Sequence, residues 1–193
     1  LQERTPPEFA ELWDVFKPRG QIDAYLRLVR SKPGDPVGVG ATVECRDVAT
    51  TYRPFLYPLE HLNGRLTLER ERLTVNLRGL VGERPATMKG TIDRPGPDAI
   101  VNLDLEAESF PIDKTFMTAL PPDIRKVVDQ FHPSGSVKAK VNVARRPLVG
   151  PMVKEEGHLA ISAILDLNPR CEMTWVGLPY TVRNLTGRLE IHP

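Results

Sequence analysis

The chain is predicted to be mainly β: an antiparallel meander sheet curled into an open groove, with short amphipathic helices between repeats, and with β-sandwich repeats as the alternative. Three observations predict this. Apolar and polar residues alternate with period two in one segment after another, which is the signature of half-buried strands. The 19 prolines and 14 glycines are spread along the chain as turn punctuation. The chain also states one pattern twice. Pro6-Pro7-Glu8-Phe9 through Phe16, Pro18, Gly20 and Ile22 returns as Pro121-Pro122-Asp123-Ile124 through Phe131, Pro133, Gly135 and Val137, at an offset of 115 (121 − 6).

The elements follow in order. Phe9, Leu12, Trp13 and Phe16 fall on one face of a short helix over 7–17, opened by Pro-Pro-acid and stopped by Pro18-Arg19-Gly20. The period then switches to two. Ile22, Ala24, Leu26 and Leu28 alternate with Gln21, Asp23, Tyr25 and Arg27 to make a first strand, and Val37, Val39, Ala41, Val43 and Cys45 make a second after the turn cluster 31–36. Prolines keep 52–58 extended. Leu62 to Leu68 is a third strand, with Gly64 inside it at a bulge or a close backbone approach.

Leu73, Val75 and Leu77 mark a fourth strand, Ala86, Met88, Gly90 and Ile92 a fifth, and Val101, Leu103, Leu105 and Ala107 a sixth. Ser109 or Asp113 caps a short helix at about 112–120, which closes a first repeat over 1–120. The second repeat, 121–193, is truncated. It has a helix over Ile124–Phe131, a strand with Val137, Val141 and Val143, and another with Ile161 and Leu165. The stretch Phe55–Leu68 then returns as Leu178–Ile191 at an offset of 123 (187 − 64), and the eight extra residues (123 − 115) are placed in the first hairpin loop, at Arg145–Pro151. The second copy stops after its third strand, so the chain reads as a window onto a longer array. No basic-then-apolar signal segment follows Leu1, so targeting signals are expected outside it.

Composition narrows the function. There are 26 basic and 25 acidic residues, scattered along the chain, so there is no basic stripe to neutralise phosphates and nucleic acid is not an expected partner. No apolar run approaches the roughly 18–20 residues of a membrane-spanning helix. Cys45 and Cys171 do not align between the copies and read as two buried thiols.

An aliphatic face repeated over six strands has to be covered, because each fully buried aliphatic side chain contributes roughly 1.5–3 kcal/mol. The helices offer too few apolar residues to do it. One solution folds the sheet onto a second sheet as a sandwich. The other curls it into a gutter whose lid is a ligand with hydrocarbon chains. Aromatics at 6% are scarce for a sandwich core, and head-to-tail copies extend one trough, so both observations favour the gutter.

The cycle of helix, F-x-P-x-G, strand pair, Y-P-x-x-x-L-x-G-x-L (Tyr57 to Leu66) and L-x-G-x-x-G (Leu77 to Gly82) resembles the AsmA-like proteins, the bacterial envelope family that includes TamB, over essentially the whole chain. The resemblance implies a periplasmic repeating β-groove that carries phospholipid toward the outer membrane, anchored in the inner membrane by a segment outside these residues. Its implied partners are phospholipid acyl chains, adjacent repeats of the same chain and the inner membrane, and it implies no cofactor. The lipid-lining residues it implies are Ile22, Leu26, Leu28, Val39, Val43, Leu66, Leu68, Val75, Leu77, Met88, Ile92, Val101, Leu103, Leu105, Val137, Val141, Val143, Ile161 and Leu165. The rival function is a structural or adhesive sandwich array that binds other proteins.

Catalysis is not expected. His61, His132, His158 and His192 are isolated and show no metal-ligand spacing. The glycines of Leu77–Gly82 precede a strand, whereas a phosphate loop needs a helix start there. Acidic pairs such as Glu69/Glu71 and Asp104/Glu106 sit on polar strand faces or turns, and Arg65 and Arg188 are expected to stabilise the sheet surface more than to meet lipid headgroups.

Overall fold

The computed structural model describes residues 17–30, 32, 34, 38–52, 55–95, 99–120, 122–145 and 159–192. The expected helix over 7–17, with Phe9, Leu12, Trp13 and Phe16, lies outside the described residues apart from Lys17. The strands are β1 (Arg19–Val29), β2 (Gly38–Tyr52), β3 (Phe55–Glu69), β4 (Arg72–Val81), β5 (Arg84–Asp93), β6 (Ile100–Ile112), β7 (Gly135–Arg145), β8 (Leu159–Leu167), β9 (Cys171–Trp175), β10 (Leu178–Leu185) and β11 (Arg188–Ile191). Two short helices, α1 (Lys114–Ala119) and α2 (Pro122–Val128), separate β6 from β7.

β1 through β8, followed by β11, form one nine-stranded antiparallel sheet in meander order, not closed into a barrel, and β9 and β10 form a separate two-stranded sheet that a bridge between Glu172 and Ser134 ties to the start of β7. The sheet does not break between the repeats, since β6 pairs with β7 from Val101↔Arg145 to Ile112↔Gly135. Among the described residues no second sheet packs across it, so the sandwich alternative does not form. The strands are longer than the alternation alone marks. β6 runs on to Ile112 because a register shift after Ala107 reverses the parity, which lets the ladder continue where the pattern stops.

The repeat is built into the backbone. Positive φ recurs at Lys17 and His132, Gly20 and Gly135, Asp47 and Arg170, His61 and Asn184, and Gly64 and Gly187. These are the bulges and turn positions of the two copies. Strand pairing also places the inserted residues. Ala24↔Val43 in the first copy corresponds to Ala139↔Leu165 in the second, at offsets of 115 and 122. Val48↔Leu62 corresponds to Cys171↔Leu185 at 123. Seven inserted residues (122 − 115) therefore lie in the β7–β8 connection, and the eighth (123 − 122) widens the bulge ahead of β9. That wider bulge is where the long β2 of the first copy becomes β8 and β9 in the second.

α1 is capped by Asp113, whose Oδ1 accepts from the Phe116 N–H at 2.8 Å. It seals one end of the sheet: Tyr57, Val81, Ala107 and Ala119 form a buried cluster with Phe110 and Phe116 packed on it. The apolar stripe of α2 is only partly covered. Ile124 and Val127 are exposed, while Val128 and Phe131 are half-buried. The turn after α2 is held by β9, where Thr174 N–H donates to Phe131 O at 2.9 Å and Val176 N–H to Gln130 O at 2.8 Å. Those bonds fix the helix with half of its apolar stripe turned outward.

Candidate functional site: the apolar face

Residues opposite each other on neighbouring strands point to the same side of a sheet. The register therefore decides whether the predicted lining residues share a face, and they do. One row runs Leu26, Ala41, Leu68, Leu73, Ile92, Val101 and continues at the rim through Arg145 and Leu159. The next runs Ala24, Val43, Leu66, Val75, Gly90, Leu103, Val143, Ile161. A third runs Ile22, Cys45, Gly64, Leu77, Met88, Leu105, Val141, Ala163, Ile191. Leu28 pairs with Val39 beyond the first row, Ala139 with Leu165 beyond the third, and Val137 with Leu167 beyond that. At about 4.8 Å between strands, the face follows an arc of roughly 38 Å across the nine strands.

The face is concave at its centre. Val75, Leu77 and Leu103 are buried although no layer lies over them among the described residues, and Val43, Leu66, Met88, Ile92, Val101, Leu105 and Val143 pack against them. Neighbouring side chains touch across any sheet, but exposure as low as 5–8% on an open face calls for strands that curl toward each other. Val137 is buried where the sheet meets Phe110, and Leu68, Val141 and Leu165 are half-buried. The ends differ. Ile22, Leu26, Leu28 and Val39 on β1 and β2, and Ile161 on β8, are 42–70% exposed.

Leu73, Ala41, Ala163, Leu167 and Ile191 share the face and were not among the predicted lining residues, although period-two spacing places them on it. The end cluster around Tyr57 carried no such signal. Tyr57 stands in the proline-punctuated 52–58 stretch, and its ring packs on Phe110 at 4.9 Å while its Oη donates to Asp113 Oδ2 at 3.4 Å. Burial first, then the Asp113 carboxylate, pushes the Tyr57 phenol up to about 12.

The opposite face is polar and ion-paired. Arg65 meets Glu44 at 2.6 Å and Arg188 meets Asp166 at 2.7 Å, the same cross-strand pair in the two copies. Lys140 meets Glu106 at 3.3 Å, and Asn142 donates to Asp104 Oδ1 at 2.7 Å. Asp104 and Glu106 are thus engaged on the sheet surface, where such pairs are worth little. Depressions of about 390 Å³, between Glu44, Asn63, Arg65, Asn76 and Arg78, and about 300 Å³, around Asp104, Glu106, Lys140 and Glu190, also involve this polar side. The second depression also borders Leu105, Val141, Ala163 and Ile191 of the apolar face.

Cys45 lies within the trough floor, its thiol pushed up first by burial and then by Glu44. Cys45 and Cys171 are both free and buried. Among the described residues no group of three His, Cys, Asp or Glu side chains is placed to hold a metal ion, and no helix is long and apolar enough to cross a membrane. Comparison with protein-family models, with curated proteins and with solved structures found no match to this chain.

Proposed function

We propose that the chain is a non-catalytic segment of a lipid-binding β-groove of the AsmA-like kind, acting in phospholipid transport or outer-membrane biogenesis in the periplasm. Acyl chains lie against the apolar face. Adjacent repeats extend the trough, and a segment outside these residues reaches the inner membrane. The observation that carries this reading is the single layer of sheet with one continuous apolar side, on which Leu26 and Leu28 remain 70% and 62% exposed. Monomeric proteins rarely leave a wide contiguous apolar surface bare unless something binds there. A sandwich array that binds proteins would need a second layer to seal the face, and none lies over it among the described residues.

Native mass spectrometry of the purified chain tests the reading. Co-purifying phospholipid, released on denaturation, is the expected result. A ligand-free protein that also fails to take up phospholipid from vesicles would overturn it.

A further inference from the structure

The two copies meet different surroundings at equivalent residues. Tyr57 is 4% exposed and Tyr180, its counterpart at an offset of 123 (180 − 57), is 72% exposed. Leu66 packs on the central core, whereas its counterpart Leu189 is 56% exposed. The first copy displays what does the covering: β4 hydrogen-bonds the far edge of β3, and the strands beyond it bring Phe110 and α1 over Tyr57.

A second observation points the same way. Gly64 has φ +137°, and a Cβ there would collide with the Asn76 carbonyl oxygen of β4, so glycine is required by a strand lying close against it. Gly187 repeats that backbone at φ +153°, yet nothing stands within 4 Å of where its Cβ would be. Gly187 thus has the backbone that Gly64 uses for a close strand approach, beside a strand edge that is open among the described residues.

We propose that the open edge of β11 together with Tyr180 is a docking site for a further unit built like β4–α1. The unit is an antiparallel strand whose carbonyl closes on Gly187, followed by a capped helical turn that lays an aromatic ring and a carboxylate on Tyr180. A folded second copy of this chain cannot supply the strand, because its β4 is already paired on both edges, with β3 and β5. The proposal rests on the adjacent-repeat half of the function above and not on the lipid half.

The test joins a second copy of residues 70–120 directly after His192 and follows nitration of Tyr180 by tetranitromethane, with Tyr25, itself 65% exposed, as an internal standard. In the chain alone Tyr180 should react as fast as Tyr25. In the extended chain it should react about tenfold more slowly, as expected for a group freed only by local opening, with Tyr25 unchanged. Gly187→Ala in the extended chain should restore the fast rate. Continued fast reaction in the extended chain, or failure of Gly187→Ala to restore it, overturns the proposal. So does slow reaction in the chain alone that depends on protein concentration, which would assign the surface to a second copy, or on added phospholipid vesicles, which would assign it to lipid. Lipid retention is read separately by mass spectrometry, so the two readings can fail independently.

Discussion

The centre of the apolar face and its ends use the same side chains in the same alternation and reach opposite fates. Val75, Leu77 and Leu103 are 5–8% exposed, whereas Leu26, Leu28 and Ile161 are 42–70% exposed. Among the described residues no covering layer distinguishes them, whereas the number of neighbouring strands on each side does. The floor of the trough is thus a protein core in its own right, and under the proposed function the ends are where an added hydrocarbon chain would gain new contact. Residues that the alternation places in one group therefore divide into two, a buried floor and an exposed margin.

The largest contrast comes from burying a charge. Leu103→Asp leaves an unpaired carboxylate in the floor and should destabilise the fold by roughly 3–5 kcal/mol, while Leu26→Asp, on an exposed end, should stay within about 0.5 kcal/mol of the parent. Denaturant midpoints check both, and equal losses would erase the distinction. Truncation should show the same order at smaller scale. Leu77→Ala opens a cavity worth about 2–5 kcal/mol, and Leu28→Ala should cost under about 1 kcal/mol.

Tyr57 and Tyr180 extend the comparison to pH. The folded protein holds the Tyr57 proton up to about 12, above the ordinary 10, so between those values the unfolded state binds fewer protons. Stability from this group is complete below pH 10 and is lost as the pH rises through 12. Tyr57→Phe should flatten that decline in a pH series of unfolding midpoints, and Tyr180→Phe should leave it in place.

The smallest effects belong to the polar face. Hydrogen bonds from Arg72 and Arg188 hold Asp93 and Asp166 below the ordinary carboxylate value. Their contribution is present above that value and fades as the pH falls through the lowered one. Arg72→Gln, near the centre, and Arg188→Gln, at the end, should therefore shift acid unfolding slightly and alike, because both pairs are open to solvent and screened by it.

The face itself was legible wherever alternation ran unbroken, as through Val101, Leu103 and Leu105 or Val137, Val141 and Val143. Parity is fixed by the strand alone, so spacing suffices. Bulges were less legible. Asp47, His61 and Asn184 adopt positive φ and reset the parity, which hid the outer halves of β2 and β3 and with them Tyr57 and Leu62. Burial was not legible at all. Leu26 and Leu68 are the same residue in the same row of the pattern, two strands apart, and the number of strands on either side separates them. α2 teaches the same lesson from the helical side: its stripe of Ile124, Val127, Val128 and Phe131 was legible, but the bonds from β9 that turn half of it outward lie some forty residues away in sequence.

The account depends most on hydrocarbon lying against the uncovered ends of the apolar face. A photo-crosslinking amino acid at Leu26 or Ile161, illuminated with phospholipid vesicles present and analysed for a phosphorus-bearing adduct, tests this directly. Adducts at these positions, with none from Thr42 or Thr74 on the opposite side of the same sheet, are the predicted result. Equal labelling of the two sides, or none at either, would contradict it.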